Sequence, residues 1–376
     1  MASQIDIIEK YKNIISELNK DKLFRKLYSY DKAFLDFSSN DYLNLSNNEN
    51  VIAAGYEAAK KYGAGSSGSR LLSGNKPIFE EFESQIAMDK NAESAIIFNS
   101  GFQANLGALS VLLDKDSTVI FDKLNHASMY QGAFISNAKL IRYNHLNYDQ
   151  LESILKENEN KNVFIATETV FGMDGDMADL KALSFLSEKY NAILYLDEAH
   201  ATGLYGKFGY GLSTNFNLNM ERTIIMGTFS KALGVSGAYI ASSNIIIDYL
   251  IQKCKSFIYS TAISPFCIGA AQHSWNLIRN LGEVREKLMR DSQYIRDNIK
   301  DLGYKVIGNK TNIIPIIFEN IEEVEAIRNR FLKEKIIVSL IRSPTSPTPR
   351  IRIALSASHS KNHLRKALSV LEEAYS

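Results

Sequence analysis

"TIIMGTFSKALGVSGAYI", residues 223–240, sets one lysine, Lys231, between an apolar run and a string of small residues. The run 223–226 has the short, unbroken apolar character of a strand buried on both faces. Ala232, Gly234, Ser236, Gly237 and Ala238 then clear space around the lysine. A surface position suits most lysines but fits this one poorly. A buried, unpaired lysine loses its proton more easily, becomes nucleophilic and can form a Schiff base with a carbonyl.

Further short apolar runs flank this one at 95–98, 118–121, 140–143, 163–167, 192–196 and 238–241. Between several of them lie segments with helical spacing, such as 179–190, where Leu180, Leu183, Leu186 and Tyr190 share a face. Strand and helix alternating in this way predict an α/β fold with a seven-stranded, mostly parallel sheet covered on both sides. Residues 245–300 read mostly as helix. Strands are then predicted at 313–318, 336–340 and 351–355, with helices at 321–334 and 361–374, as in a smaller C-terminal α+β domain. The expected division is an N-terminal segment over 1–60, a large domain over 61–280 and a small one over 281–376.

The 376 residues are 45% hydrophobic and 23% charged, with a formal net charge of +1. No strong field favours nucleic acid or an anionic membrane. Cys254 and Cys267 are the only cysteines, which argues against a disulfide scaffold and a structural zinc site. The first 20 residues read as a charged amphipathic helix without a signal peptide's apolar core, and no 18-residue apolar stretch occurs. The expected location is the cytoplasm. "GAGSSG", 63–68, matches a dinucleotide fingerprint by spacing, but the segment before it reads as helix where the fingerprint needs a strand. A flexible connection or a backbone-lined wall of an active site are the other readings.

Four predicted strand ends carry chemistry, at the edge where open α/β sheets bind ligands. In "IIFNSGFQANLG", 96–107, a strand gives way to a helix whose free amides suit a phosphate, with Gly101 letting the backbone approach closely; an ordinary strand-to-helix turn is the other reading. His126, in "KLNHASMYQG", is either a plain polar loop residue or a ring lying flat on an aromatic ligand. "ILYLDEAHATG", 193–203, delivers Asp197 at a strand end, where it calls for a cationic partner or caps a helix, and His200 follows. Lys231 is preceded by Thr228, whose hydroxyl is placed for a phosphate. A phosphorylated aromatic aldehyde with a protonated ring nitrogen would use all four, and pyridoxal phosphate (PLP) meets that description.

These residues resemble the α-oxoamine synthase family of fold-type I PLP enzymes, from about 25 to 370. The motifs are "SSNDYLNLS" (38–46), "GAGSSGSRLLSG" (63–74), "NSGFQAN" (99–105), "NHAS" (125–128), "ETVFGMDGD" (168–176), "LDEAHATGLYG" (196–206), "TFSKALG" (228–234) and "YSTAISP" (259–265). The resemblance implies that Lys231 is the Schiff-base lysine, Asp197 the partner of the ring nitrogen, His126 the stacking ring and His200 a contact of the phenolic oxygen. It implies that Gly101, Phe102 and Thr228 hold the phosphate, joined by Thr261 from the second subunit of a homodimer. "FGMDGDMADL" and "IRSPTSPTPRIRIALSASH" are most similar to the members that condense L-alanine with a pimeloyl thioester, carried on coenzyme A or acyl carrier protein. On that likeness Arg25, Thr345 and Arg352 bind substrate, with Arg352 on the amino acid's carboxylate, and His126 also touches substrate. Gly172 stands where many members carry serine, Ser343 replaces a proline, and the 347–350 link is about two residues short. The rival readings are a sister synthase using glycine or serine, an aminotransferase, a nicotinamide dehydrogenase resting on "GAGSSG", and a non-catalytic binding protein.

Overall fold

The apolar runs assemble into one sheet. In the computed structural model, which describes residues 6–375 apart from 22 and 160, its strands are β1 (Ser94–Phe98), β2 (Ser117–Asp122), β3 (Lys139–Tyr143), β4 (Asn162–Glu168), β5 (Ile193–Asp197), β6 (Thr223–Thr228) and β7 (Ala238–Ser242). Their order in space is β1-β7-β6-β5-β4-β2-β3. Neighbours are parallel except at β7, which runs antiparallel to both β1 and β6. β2, β6 and β7 are buried along their whole length, so their side chains need no polar alternation. β3, at the edge, is the exposed one and carries Lys139 and Arg142 outward.

Helices bury apolar faces on both sides. Ala104, Leu109, Met129 and Ile247 pack on Phe121 and Ile224, and Leu151 and Leu183 pack on Ile165 and Leu194 across the sheet. The predicted helix over 179–190 is Leu180–Lys189; Asp179 caps it by accepting from the amides of Lys181 and Ala182, and Leu180, Leu183 and Leu186 are buried. "GAGSSG" follows the helix Glu49–Tyr62, which ends at Gly63 with φ +97°. With a helix instead of a strand before it, the dinucleotide reading loses its support.

Beyond Asp301 a second sheet forms from β8 (Lys305–Val306), β9 (Ile313–Ile317), β10 (Ser339–Ile341) and β11 (Arg350–Ala354), in the order β10-β11-β9-β8 and antiparallel throughout. The predicted strand 336–340 is divided. Ile336–Ile337 pairs parallel with Leu35–Asp36, whereas Ser339–Ile341 pairs with β11. The helices Ile321–Lys333 and Lys361–Tyr375 cover this sheet. At the other end of the chain Ile7–Lys20 is helical, capped by Asp6, with no buried residue. Among the described residues no helix is long and apolar enough to cross a membrane.

Candidate active site

Parallel register brings the chemistry to one edge. Glu168, the last residue of β4, lies beside Asp197, the last of β5, and Asp197 lies beside Met226 of β6. Above these strand ends opens a cavity of about 200 Å³. Its walls hold Gly101, Phe102, His126, Asp197, His200, Thr228 and Lys231, which are seven of the residues singled out from sequence. Asn105, Ser128, Glu168 and Ser230 line it too, and sequence reasoning did not name them.

Asp197 is buried and held from two sides. One oxygen accepts from the Ala199 amide at 2.8 Å and the other from Asn105 Nδ2 at 2.7 Å; the residues after Asp197 form turns, so it caps no helix. Asn105 also donates to Ser128 Oγ at 2.9 Å and accepts from Tyr195 OH at 2.8 Å. The cationic partner expected for Asp197 is supplied in no direct ion pair among the described residues; hydrogen bonds hold the carboxylate instead. Asn105 hides in the apolar helix Gly101–Leu112, and its one sequence signal is an amide on the helix face that packs on the sheet.

Burial pushes the Lys231 amine down to about 8; Asp197 and Glu168 act against that and Arg352 with it. Its side chain has no hydrogen bond or ion pair among the described residues. Glu168 is raised to about 8 by burial and by the neighbouring Asp197, with Lys231 opposing. Two carboxyl groups at adjacent strand ends do not ionise together easily, and the less well hydrogen-bonded one keeps its proton.

The helix Gly101–Leu112 points its start at the cavity. Ser100 caps it through the Gln103 amide, which leaves the amides of Gly101 and Phe102 without an intrahelical partner. Thr228 is already engaged: its hydroxyl donates to Gly237 O at 2.7 Å and accepts from the Ser230 amide at 3.1 Å. His126 caps the helix Ala127–Ser136, with Nδ1 2.7 Å from Ser128 Oγ, and stays exposed with its ring edge-on to Phe102. Burial of its inner edge and the nearby Lys231 lower its pKa, while Asp197 opposes.

Arg352, on β11, is buried below the same site. Its Nε donates to Gly172 O at 2.7 Å, and its Nη2 to Asn40 Oδ1 at 2.9 Å and to Tyr42 OH at 3.3 Å. Arg350, two residues earlier, is bound to Asp174 at 2.6 Å. The serine-to-glycine departure at 172 has a steric reason here: a Cβ on Gly172 would fall on the His200 ring, against Nε2 and 2.6 Å from Cε1.

The remaining candidates lie apart. Arg25 and Thr345 are exposed and share a separate groove with Arg342 and Arg328. Thr261 is exposed outside the cavity, bridged to Ser69, with its carbonyl accepting from Asn99 at 2.8 Å.

The residues fit PLP. The cavity offers an amine free of protein partners, a fixed carboxylate, an exposed imidazole face and unpaired helix-start amides for a phosphate. The comparisons agree. Residues 32–371 match the family described as "Aminotransferase class I and II". Two relatives named "Putative 8-amino-7-oxononanoate synthase", from Bacillus cereus (strain G9842) and Geobacillus kaustophilus, are each 40% identical; the alignments cover 94% and 90% of this chain and 93% and 88% of theirs. The serine palmitoyltransferase of Sphingomonas wittichii superposes with a TM-score of 0.91 at 26% identity, over 98% of both chains. An 8-amino-7-oxononanoate synthase from Francisella tularensis gives 0.80 at 30% identity, over 91% of this chain and 98% of its own. A serine palmitoyltransferase solved with PLP as its internal aldimine also reaches 0.91. The chain belongs to the class I and II aminotransferase family and, within it, to the α-oxoamine synthases of fold-type I. It is a PLP-dependent enzyme of the acyltransferase type.

Proposed function

We propose that this enzyme condenses L-alanine with a pimeloyl thioester, giving 8-amino-7-oxononanoate, carbon dioxide and the free thiol, a step of biotin biosynthesis. The observation that carries the reading is 40% identity to relatives of that name along 94% of the chain. Bound in the cavity, PLP supplies a carbonyl for amine capture and a ring that takes up negative charge from the substrate's Cα.

The chain's own residues do the rest. The amides of Gly101 and Phe102 would hold the phosphate end, joined by Thr228 once its hydroxyl turns from Gly237 O. Asp197, fixed by Asn105 and Ala199, presents a carboxylate to the ring nitrogen. His126 would stack on the ring and His200 would contact its phenolic oxygen, both from the cavity wall. Lys231, with its amine lowered to about 8, anchors the cofactor and then takes the Cα proton at Nζ. Arg352 would grip the amino acid's carboxylate through Nη1, the guanidinium nitrogen not engaged by Gly172, Asn40 or Tyr42. Arg25 and Thr345 receive the acyl substrate, carried on coenzyme A or acyl carrier protein. A second copy of the chain brings Thr261 to the phosphate, and the dimer works in the cytoplasm.

The 0.91 superposition on serine palmitoyltransferase favours one rival, a sister synthase using serine. The test incubates the purified holoenzyme with L-alanine, glycine or L-serine, each with pimeloyl-CoA or palmitoyl-CoA, and weighs the products by mass spectrometry. Alanine with pimeloyl-CoA should give the fastest turnover and the 8-amino-7-oxononanoate mass. Faster turnover with serine and palmitoyl-CoA would overturn the assignment and keep the family.

A further inference from the structure

Tyr42 stands at a junction that the proposed chemistry leaves unassigned. It is fully buried. Its hydroxyl lies 2.7 Å from His200 Nδ1, 3.0 Å from Asn40 Oδ1 and 3.3 Å from Arg352 Nη2. Burial raises the phenol's pKa, so the hydroxyl keeps its one proton. His200 is neutral, because burial, with Lys231, Arg352 and His126 nearby, lowers its pKa well below the ordinary range. A neutral imidazole carries one N–H, and its place is set by the partner of the other nitrogen.

The donors and acceptors can be counted. Arg352 has only protons to give, so the Tyr42 oxygen accepts from Nη2. Asn40 Oδ1 already accepts from the same Nη2 at 2.9 Å. The phenol proton therefore has its shorter path, and its unserved acceptor, at His200 Nδ1. The cation on the phenol oxygen also polarises the O–H toward the imidazole. That leaves the imidazole proton on Nε2, over Gly172, where a side chain's Cβ would collide with the ring. Gly172 O is in turn held by Arg352 Nε at 2.7 Å. One guanidinium thus orients both the phenol beneath the histidine and the backbone under its far edge.

We propose that Tyr42 is a positioning residue that locks His200 in its Nε2–H tautomer, so that the histidine carries one fixed donor, on Nε2, and that Arg352 holds Tyr42 in place to do so. Because Arg352 is the proposed carboxylate holder, the coupling of substrate to this lock rests on the reading above, while the lock itself does not.

The test is nitrogen NMR of the holoenzyme labelled with ¹⁵N-histidine. The chain has six histidines, and His200→Gln identifies the signal. The wild type without amino acid should show one neutral tautomer for His200, protonated on Nε2. Tyr42→Phe, with its fold checked by circular dichroism, should lose that single pattern, and Arg352→Lys should weaken it. An Nδ1–H tautomer in the wild type, or an unchanged His200 signal in Tyr42→Phe, would overturn the proposal. None of these spectra needs substrate, so failure of the alanine assignment shows only in the product assay, and failure of the lock shows only here.

Discussion

His145 joins two carboxylates that belong to different parts of the chain. Its Nδ1 lies 2.9 Å from Asp122 Oδ1, at the end of β2, and its Nε2 lies 2.8 Å from Asp176 Oδ2, in the turn after β4. Burial disfavours the charged ring, but the hydrogen bonds and charges of Asp122 and Asp176 outweigh it and raise the pKa from 6.5 to about 9. The side chain is 15% exposed, so solvent screens the cluster little. A folded-state value above the unfolded one means that the charged ring stabilises the native state. The gain is complete below pH 6.5 and disappears as pH rises through 9. The rise corresponds to about 3 kcal/mol at its fullest. The turn fastened in this way carries Gly172, whose carbonyl holds Arg352. The perturbation is His145→Asn, compared with wild type by urea unfolding at steps from pH 6 to 10. Lys231 and Glu168 also titrate in this range, but they occur in both proteins and cancel in the difference. The stability difference should be about 3 kcal/mol at pH 6 and close to zero, or reversed, at pH 10. Parallel pH profiles for the two proteins would refute the reasoning.

Other outcomes follow from the same geometry. Lys231→Ala should abolish turnover with the far-ultraviolet spectrum unchanged; measurable turnover would remove the lysine from the chemistry. In the cofactor-free protein, reductive methylation followed by mass spectrometry should modify Lys231 half-maximally near pH 8, because burial lowers its pKa to about 8. Gly172→Ser should cost about 1–3 kcal/mol in urea unfolding, since the His200 ring must shift to admit a side chain. Lys90 is wholly buried with Glu198, next to Asp197, and also donates to Tyr210 O at 2.7 Å. Lys90→Met should therefore lose about 3–5 kcal/mol, and adding Glu198→Leu should restore part of it.

The sheet was legible because most of its strands are buried on both faces: six of the seven runs are strands extended by one or two residues, and the run at 192–196 is shifted by one, to Ile193–Asp197. β8 escaped notice because Lys305–Val306 is two residues long and half exposed, with no run to read. The split at Val338 was hidden because the residues on either side are apolar for different partners, Leu35–Asp36 and β11. Nor does any local pattern tell that β7 runs against its neighbours. In the site, residues that end strands or open helices could be found, because polarity there interrupts an apolar run. Asn105 and Tyr42 could not, since each acts through a neighbour: Asn105 on Asp197, and Tyr42 on His200. Glu168 lay within a motif already quoted, but only its place beside Asp197 gives it meaning.

The position of β7 also bears on how the protein is made. β1, near residue 94, reaches the rest of the large sheet only through β7, which ends at Ser242. During synthesis β2 to β6 can pair as they emerge, while β1 waits for a strand translated more than a hundred residues later. Such a distant pairing carries a large loop-closure cost and forms late. A ribosome-bound chain stopped before residue 238 therefore holds every residue that lines the cavity, from Gly101 to Lys231, but lacks the one partner that fixes β1, the strand leading into Gly101.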